Sequence, residues 1–224
     1  MLLIDGLGAE LLDTYSAEAR VLAALRGQRL QVGFPPTTVA GLAAIGTGCR
    51  SGEHGLIGLC FRLPGAGAIN ALHWRPHPWG DDLRDVAPET VQPRPTTFER
   101  AASAGIAVSV VSGAIFVASG LTRAVLRGGR YTGVHGLGDL AAGVRSALAE
   151  GGFCYGYHGD LDLLGHVYGP GSPTWRMQLR QADRLVESVL DGLPPGGLLA
   201  VVGDHGMVAV ETSEVIDADN TCRY

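Results

Sequence analysis

The stretch Phe153-Cys-Tyr-Gly-Tyr-His-Gly-Asp160-Leu-Asp162-Leu-Leu-Gly-His166-Val-Tyr-Gly-Pro170 reads as a strand running into a turn of polar, metal-type residues. Phe153 to Tyr157 has the length and apolar character of a buried strand. Ser172-Pro173 then marks a helix start, a capping hydroxyl followed by proline in the first turn. Trp175, Leu179, Ala182, Val186, Val189 and Leu193 recur at helical spacing until Pro194-Pro195-Gly196-Gly197 ends the run. Leu198 to Val202 is apolar again and leads into Asp204-His205. Strand, helix, strand predicts a parallel pair joined by a crossover helix.

The same alternation extends outward through the chain. Met1 to Ile4 reads as a strand, Ser16 as the cap of a helix reaching about Leu25, and Leu30 to Phe34 as a second strand ended by Pro35-Pro36. A helix is expected to start near Thr38. Segment 56–72 reads as strand-rich and 73–96 as an irregular loop. Thr96 or Thr97 opens a helix leading into a strand at 106–111, and a helix near 137–149 leads into Phe153. The expected fold is α/β: a three-layer α/β/α sandwich around a mostly parallel sheet, one domain over residues 1–224. Residues 64–95 stand out as an insertion, and His73, Trp74, His77 and Trp79 in it suit either a lid over the site or aromatic packing of the loop onto the core.

Composition narrows the function classes. Apolar residues make up 46% of the 224 and charged residues 17%, so much of the chain is interior. Thirty-four glycines suit many tight strand-to-helix turns. A formal charge of −5 with no run of basic residues gives no footprint for nucleic acid. Positive charge for a small phosphorylated substrate would then come from metal ions. No charge occurs between Arg100 and Arg123, long enough for a membrane span, yet serines and glycines interrupt the stretch and 106–111 reads as a buried strand. Cys49, Cys60, Cys154 and Cys222 are scattered and form no framework. With no basic-then-apolar leader, a cytoplasmic location is expected.

In parallel sheets ligands gather at the carboxyl ends of strands, and four polar stretches fall there. Asp5-Gly6 follows the first strand. Thr38 opens a helix, where free N–H groups and the dipole favour an anion. Asp162 and His166 lie four apart, so both reach one point, and Asp/His pairs suit zinc. Asp204-His205-Gly206 ends the last strand. Each has a structural reading by itself: Asp-Gly as a turn, Thr38 as a plain N-cap, the histidines as paired or capping side chains.

Together, in this order, the four resemble the nucleotide pyrophosphatase/phosphodiesterase branch of the alkaline phosphatase superfamily. Asp162 to Pro170 matches its Asp-x-x-Gly-His-x-x-Gly-Pro motif, Asp204 to Met207 its Asp-His-Gly-Met, and Thr47-Gly48 with His54-Gly55 the end of its nucleophile helix. The resemblance implies hydrolysis of phosphodiester or pyrophosphate bonds through a covalent phosphothreonine on Thr38, with two divalent metal ions, zinc in the family. Asp5, Thr38, Asp204 and His205 would form one metal site, and Asp162 with His166 would contribute to the other. The alternatives are a phosphomonoesterase with the same two-metal site and a non-catalytic metal-binding fragment.

Two features depart from the pattern. The family's second site takes a third ligand from a downstream histidine, and none follows His205 here. With a short start before the first strand, this implies a hydrolase domain incomplete at its C-terminus and short at its N-terminus. The second departure is Gly41, where phosphodiesterases of the family commonly carry a phosphate-binding asparagine.

Overall fold

Leu2, Leu3 and Ile4 are each at most 1% exposed, so neither face of this strand meets water, as expected for the middle of a sheet covered on both sides. The computed structural model describes residues 1–25, 27–77 and 86–210. In chain order the elements are β1 (Leu2–Ile4), α1 (Ala9–Thr14), α2 (Arg20–Ala24), α3 (Thr38–Thr47), α4 (Ser51–His54), β2 (Cys60–Leu63), β3 (Gly67–Asn70) and β4 (Arg75–Pro76). They continue with α5 (Pro88–Val91), α6 (Thr97–Ser103), β5 (Val108–Gly113), α7 (Gly120–Val125), β6 (Arg130–Val134), α8 (Leu137–Ala149), β7 (Phe153–His158), α9 (Asp160–Tyr168), α10 (Pro173–Asp191) and β8 (Val201–Val202).

Five strands form one parallel sheet in the order β6-β5-β7-β1-β8. Leu2 registers against Gly156 on one side and Val201 on the other, which brings the carboxyl ends of β7, β1 and β8 level. Alternation along each strand feeds two cores. Leu2, Ile4 and Val111 pack with Leu140 and Val144 of α8 and with Trp175, Leu179 and Val186 of α10. Leu3, Val108, Val110 and Tyr155 pack on the other face with Val39 and Leu42 of α3, Phe98 of α6 and Leu121 of α7. The expected three-layer sandwich with a parallel sheet is what forms.

Helix α10 shows the local logic. The Ser172 hydroxyl accepts from the Trp175 N–H at 3.2 Å and Pro173 occupies the first turn. Loss of such a cap costs about 1 kcal/mol. Trp175, Leu179, Ala182 and Val186 are then buried along one stripe.

Several local expectations change. Ser16 does not cap a helix: α1 and α2 are two short pieces, and α2 starts at Arg20. Tertiary contacts set that start, since Asp183 of α10 accepts from the Leu22 N–H at 2.8 Å. The strand expected over Leu30 to Phe34 does not form. Leu30 is 76% and Phe34 88% exposed, so no neighbouring strand covers their β-prone side chains. The last strand is shorter than Leu198 to Val202 and starts at Val201. The uncharged stretch is β5 followed by a turn and α7, and among the described residues no helix is long and apolar enough to cross a membrane.

The 64–95 insertion contributes to a small antiparallel sheet, β2-β3-β4. Trp74 there is 8% exposed, and its Nε1–H donates to the Val86 carbonyl at 3.0 Å. Its ring lies so close to Gly120 that a Cβ there would fall 2.1 Å from it. Trp74 therefore packs the insertion onto α7. His73 and His77 are exposed, and Trp79 lies outside the described residues.

Candidate active site

The carboxyl ends of β1, β7 and β8 place Asp5, Asp162 and Asp204-His205 around the start of α3. Asp5 directly follows β1, and its N–H donates to the His158 carbonyl at 2.9 Å, continuing the ladder one residue past the strand. The chain then turns at Gly6, whose φ of 71° suits glycine. A Cβ at Gly6 would lie 3.0 Å from Asp162 Oδ1, so the missing side chain also makes room for that carboxylate.

Thr38 occupies the first turn of α3 without capping it. The cap is Thr37, whose hydroxyl accepts from the Ala40 N–H at 3.4 Å. The Thr38 hydroxyl turns instead toward the carboxylates, with its Oγ1 3.4 Å from Asp5 Oδ1 and 3.2 Å from His205 Nε2. A plain N-cap reading thus fits the preceding threonine and not Thr38.

His205 is oriented by its other nitrogen. Nδ1 lies 2.9 Å from the Gly206 carbonyl, which only accepts, so Nδ1 carries the proton and Nε2 faces the site. Nε2 lies 3.2 Å from Asp5 Oδ1 and 3.8 Å from both Asp162 Oδ1 and Asp204 Oδ2. Asp204 Oδ1 accepts from the Gly6 N–H at 3.3 Å. Asp162 is shared: its Oδ1 faces His205, while its Oδ2 lies 3.5 Å from Nε2 of His166, whose side chain is 70% exposed. All six residues expected at the site therefore meet in one continuous chain of contacts, with His166 at the outer edge.

Burial makes this cluster electrostatically unusual. Asp5 and Asp204 are each 2% exposed. Burial first, and then the charge of Asp5, push the Asp204 carboxyl up to about 7 and raise Asp162 as well. Burial works against a charged His205, but the hydrogen bond to Asp5 and the charge of Asp204 outweigh it and lift the ring to about 9. Asp162 Oδ1 and Asp204 Oδ2 are buried without a hydrogen-bond partner. Unpaired buried carboxylate oxygens are costly and call for an explanation. A divalent cation supplies one: ligand atoms of Asp5, Asp162 and His205 lie within 4.8 Å of one another, a mixed carboxylate–imidazole set.

Two residues beside the cluster were not anticipated. The Tyr157 hydroxyl donates to Asp5 Oδ2 at 2.5 Å. In an apolar strand a tyrosine reads as core, and its position at the strand's end was the available signal. His158 is buried with its Nε2 3.0 Å from Gln178 Nε2, so its ring is engaged by α10. His54 is buried too, with Nδ1 accepting from the Leu56 N–H at 3.1 Å, a structural role in the turn after α4.

The Gly41 departure also has a structural cause. A Cβ at Gly41 would lie 2.7 Å from Asp204 Cβ and 2.9 Å from the Asp204 carbonyl oxygen. Helix α3 comes so close to the end of β8 that no side chain fits there.

The sequence profile of the type I phosphodiesterase / nucleotide pyrophosphatase family matches residues 1–223. The chain belongs to this family. Over 47 residues it is 49% identical to GPI ethanolamine phosphate transferase 3 of Schizosaccharomyces pombe, a match covering 21% of the chain and 5% of that protein. Among solved structures, murine ectonucleotide pyrophosphatase/phosphodiesterase 5 is similar with a TM-score of 0.71 at 16% identity, over 100% of this chain and 61% of its own. Phosphonoacetate hydrolase of Sinorhizobium meliloti, in complex with phosphonoformate, is similar with a TM-score of 0.62 at 23% identity, over 92% and 55%. At these identities the structural likeness concerns the fold. The chain spans less than two thirds of the lengths of these proteins.

Proposed function

We propose that the chain carries the nucleophile and most of the metal ligands of a hydrolase of phosphodiester or pyrophosphate bonds. The observation that carries this reading is the Thr38 hydroxyl, free of capping duty and set between Asp5 and His205 at the start of a helix. Asp5, Thr38, Asp204 and His205 would hold one divalent ion, and Asp162 with His166 would contribute to a second. Bound there, such ions, zinc being the best match to the donor set, neutralise the carboxylates and polarise the phosphoryl oxygens.

The chain's own residues do the rest. The positive dipole end at the first turn of α3 attracts the phosphoryl group. The Thr38 oxygen attacks phosphorus, the bond to the leaving oxygen breaks with its electron pair, and the hydroxyl proton has Asp5 Oδ1 within reach. Water then attacks the phosphothreonine, the phosphorus–Thr38 bond breaks, and the hydroxyl is restored. Two in-line displacements retain configuration at phosphorus. Small phosphorus-containing ligands suit this reading: one structure of the murine relative is an inactive threonine-to-alanine variant in complex with AMP, and the bacterial one holds phosphonoformate.

Rapid quench of the zinc-loaded chain during turnover of bis(p-nitrophenyl) phosphate, followed by peptide mass analysis, tests the intermediate. A nitrophenyl-phosphoryl adduct on Thr38 is expected. Full turnover by a Thr38→Ala chain would refute it.

A further inference from the structure

Met207 follows the pair Asp204-His205 and packs on α9, the helix that carries Asp162 and His166. Its contact there is Gly165, which is buried between those two residues. A Cβ at Gly165 would overlap Met207 Sδ and lie 2.7 Å from its Cε, so the thioether rests on bare helix backbone. The same Cβ would lie 3.4 Å from Trp175 Cδ1, so the sulfur and the Cδ1–Nε1 edge of the indole flank one spot. Trp175 is 0% exposed, and its Nε1–H is buried without a hydrogen-bond partner. Such a donor is costly, and a thioether beside it is only a weak acceptor. Met207 itself is half-buried, with Gly206 and Val208 exposed on either side, so small molecules in solution reach the sulfur.

Resting on the reading of Asp162, Asp204 and His205 as metal ligands, we propose that Met207 is a modification site. Hydrogen peroxide converts its thioether to the sulfoxide, the new oxygen accepts from Trp175 Nε1–H, and the hold on the metal loosens. The sulfur lone pair attacks one peroxide oxygen, the sulfur–oxygen bond forms and the oxygen–oxygen bond breaks. The departing hydroxide takes the proton of the transferred oxygen, so sulfur is oxidised by two electrons and the peroxide is reduced to water. A sulfoxide is polar where the thioether is apolar, and an unpaired donor stands beside it. Toward Gly165 there is no room, so the oxygen turns to the indole. Reseating Met207 in that direction shifts the loop of Asp204 and His205 relative to Asp162 and His166. Met177 is a natural control: it is 54% exposed, and its Sδ meets Arg180 Nη1 at 3.7 Å on the surface of α10.

The test treats the metal-free chain with hydrogen peroxide, returns its thiols with dithiothreitol, and maps the methionines by peptide mass analysis. Oxidised Met207 should move the indole N–H resonance of Trp175, assigned with Trp175→Phe, to the position of a hydrogen-bonded donor. Zinc affinity, read by chelator competition, should fall about tenfold and return after methionine sulfoxide reductase. Met207→Leu keeps the volume, so it should bind zinc as the native chain does and lose the sensitivity, while Met177→Leu should keep it. Three results would overturn the proposal: Met207 left intact when Met177 is fully converted, an unmoved Trp175 resonance in a chain oxidised at Met207, or an equal loss of zinc affinity in Met207→Leu. If the untreated chain bound no zinc, the metal reading would fall, and the resonance alone would decide the contact between sulfoxide and indole.

Discussion

The Tyr157 hydroxyl donates to Asp5 Oδ2 at 2.5 Å, while Asp5 Oδ1 faces Thr38 and His205. One oxygen of the carboxylate is thus occupied by a neutral donor and the other is left for the site. Burial first, and then the charge of Asp5, hold the phenol well above its ordinary range, so it stays protonated. Tyr157→Phe keeps the ring against Phe116 and removes only this bond. Groups that orient a metal ligand commonly contribute 10- to 100-fold in metal affinity. Zinc affinity measured by chelator competition should fall by about that factor in Tyr157→Phe, with unchanged circular dichroism. Unchanged affinity would mean that Tyr157 does not position Asp5.

Thr37 and Thr38 should separate stability from chemistry. Thr37→Ala removes the helix cap and is expected to cost about 1 kcal/mol in a denaturant titration, with activity largely kept. Thr38→Ala should show the reverse, near-native stability and no turnover. If Thr37→Ala abolished turnover with Thr38 intact, the assignment of the two hydroxyls would be inverted.

Gly41 tests how tightly α3 is set against β8. Gly41→Asn would introduce the asparagine that the family resemblance leads one to expect there, yet its Cβ meets the Asp204 backbone as well as its side chain. Backbone cannot swing aside. The substitution is expected to displace Asp204, lower zinc affinity at least tenfold and lower the melting temperature by several degrees, an overpacking cost of about 1–3 kcal/mol. Higher activity in Gly41→Asn would show that the helix moves freely.

How much of this is legible in the sequence differs by element. The ligand stretches were, because Asp162 and His166 at i and i+4 and the Asp204-His205 pair after an apolar strand carry their geometry in their spacing. Strand β6 was not, since Arg130-Tyr-Thr-Gly-Val134 mixes a charge and a glycine into an edge position. Leu30 to Phe34 misled because β propensity has no effect without a partner strand. Two adjacent threonines cannot reveal which one caps the helix; that choice depends on Asp5 and His205, more than thirty residues away on either side.

In the metal-free chain, Asp204 and His205 should contribute less stability as pH rises. The Asp204 carboxyl is raised from 3.8 to about 7, so the folded state holds its proton more tightly than the unfolded chain does. Its contribution is present below pH 3.8 and is lost as pH climbs toward 7. His205 is raised from 6.5 to about 9, so its contribution is present below 6.5 and is lost through 9. Both act in the same direction. In the presence of chelator this cluster should therefore lower the melting temperature progressively between about pH 4 and 9, and saturating zinc should remove most of that fall by binding the folded state. A melting temperature with the same pH profile with and without zinc would count against metal binding by this cluster.

Thr38 as the nucleophile of a metal-dependent phosphodiesterase site is the assignment on which the rest depends. Zinc-dependent hydrolysis of bis(p-nitrophenyl) phosphate, measured side by side for the native chain and Thr38→Ala, tests it most directly. Turnover that requires zinc and disappears in Thr38→Ala is the predicted result. Equal turnover in the two proteins would contradict it.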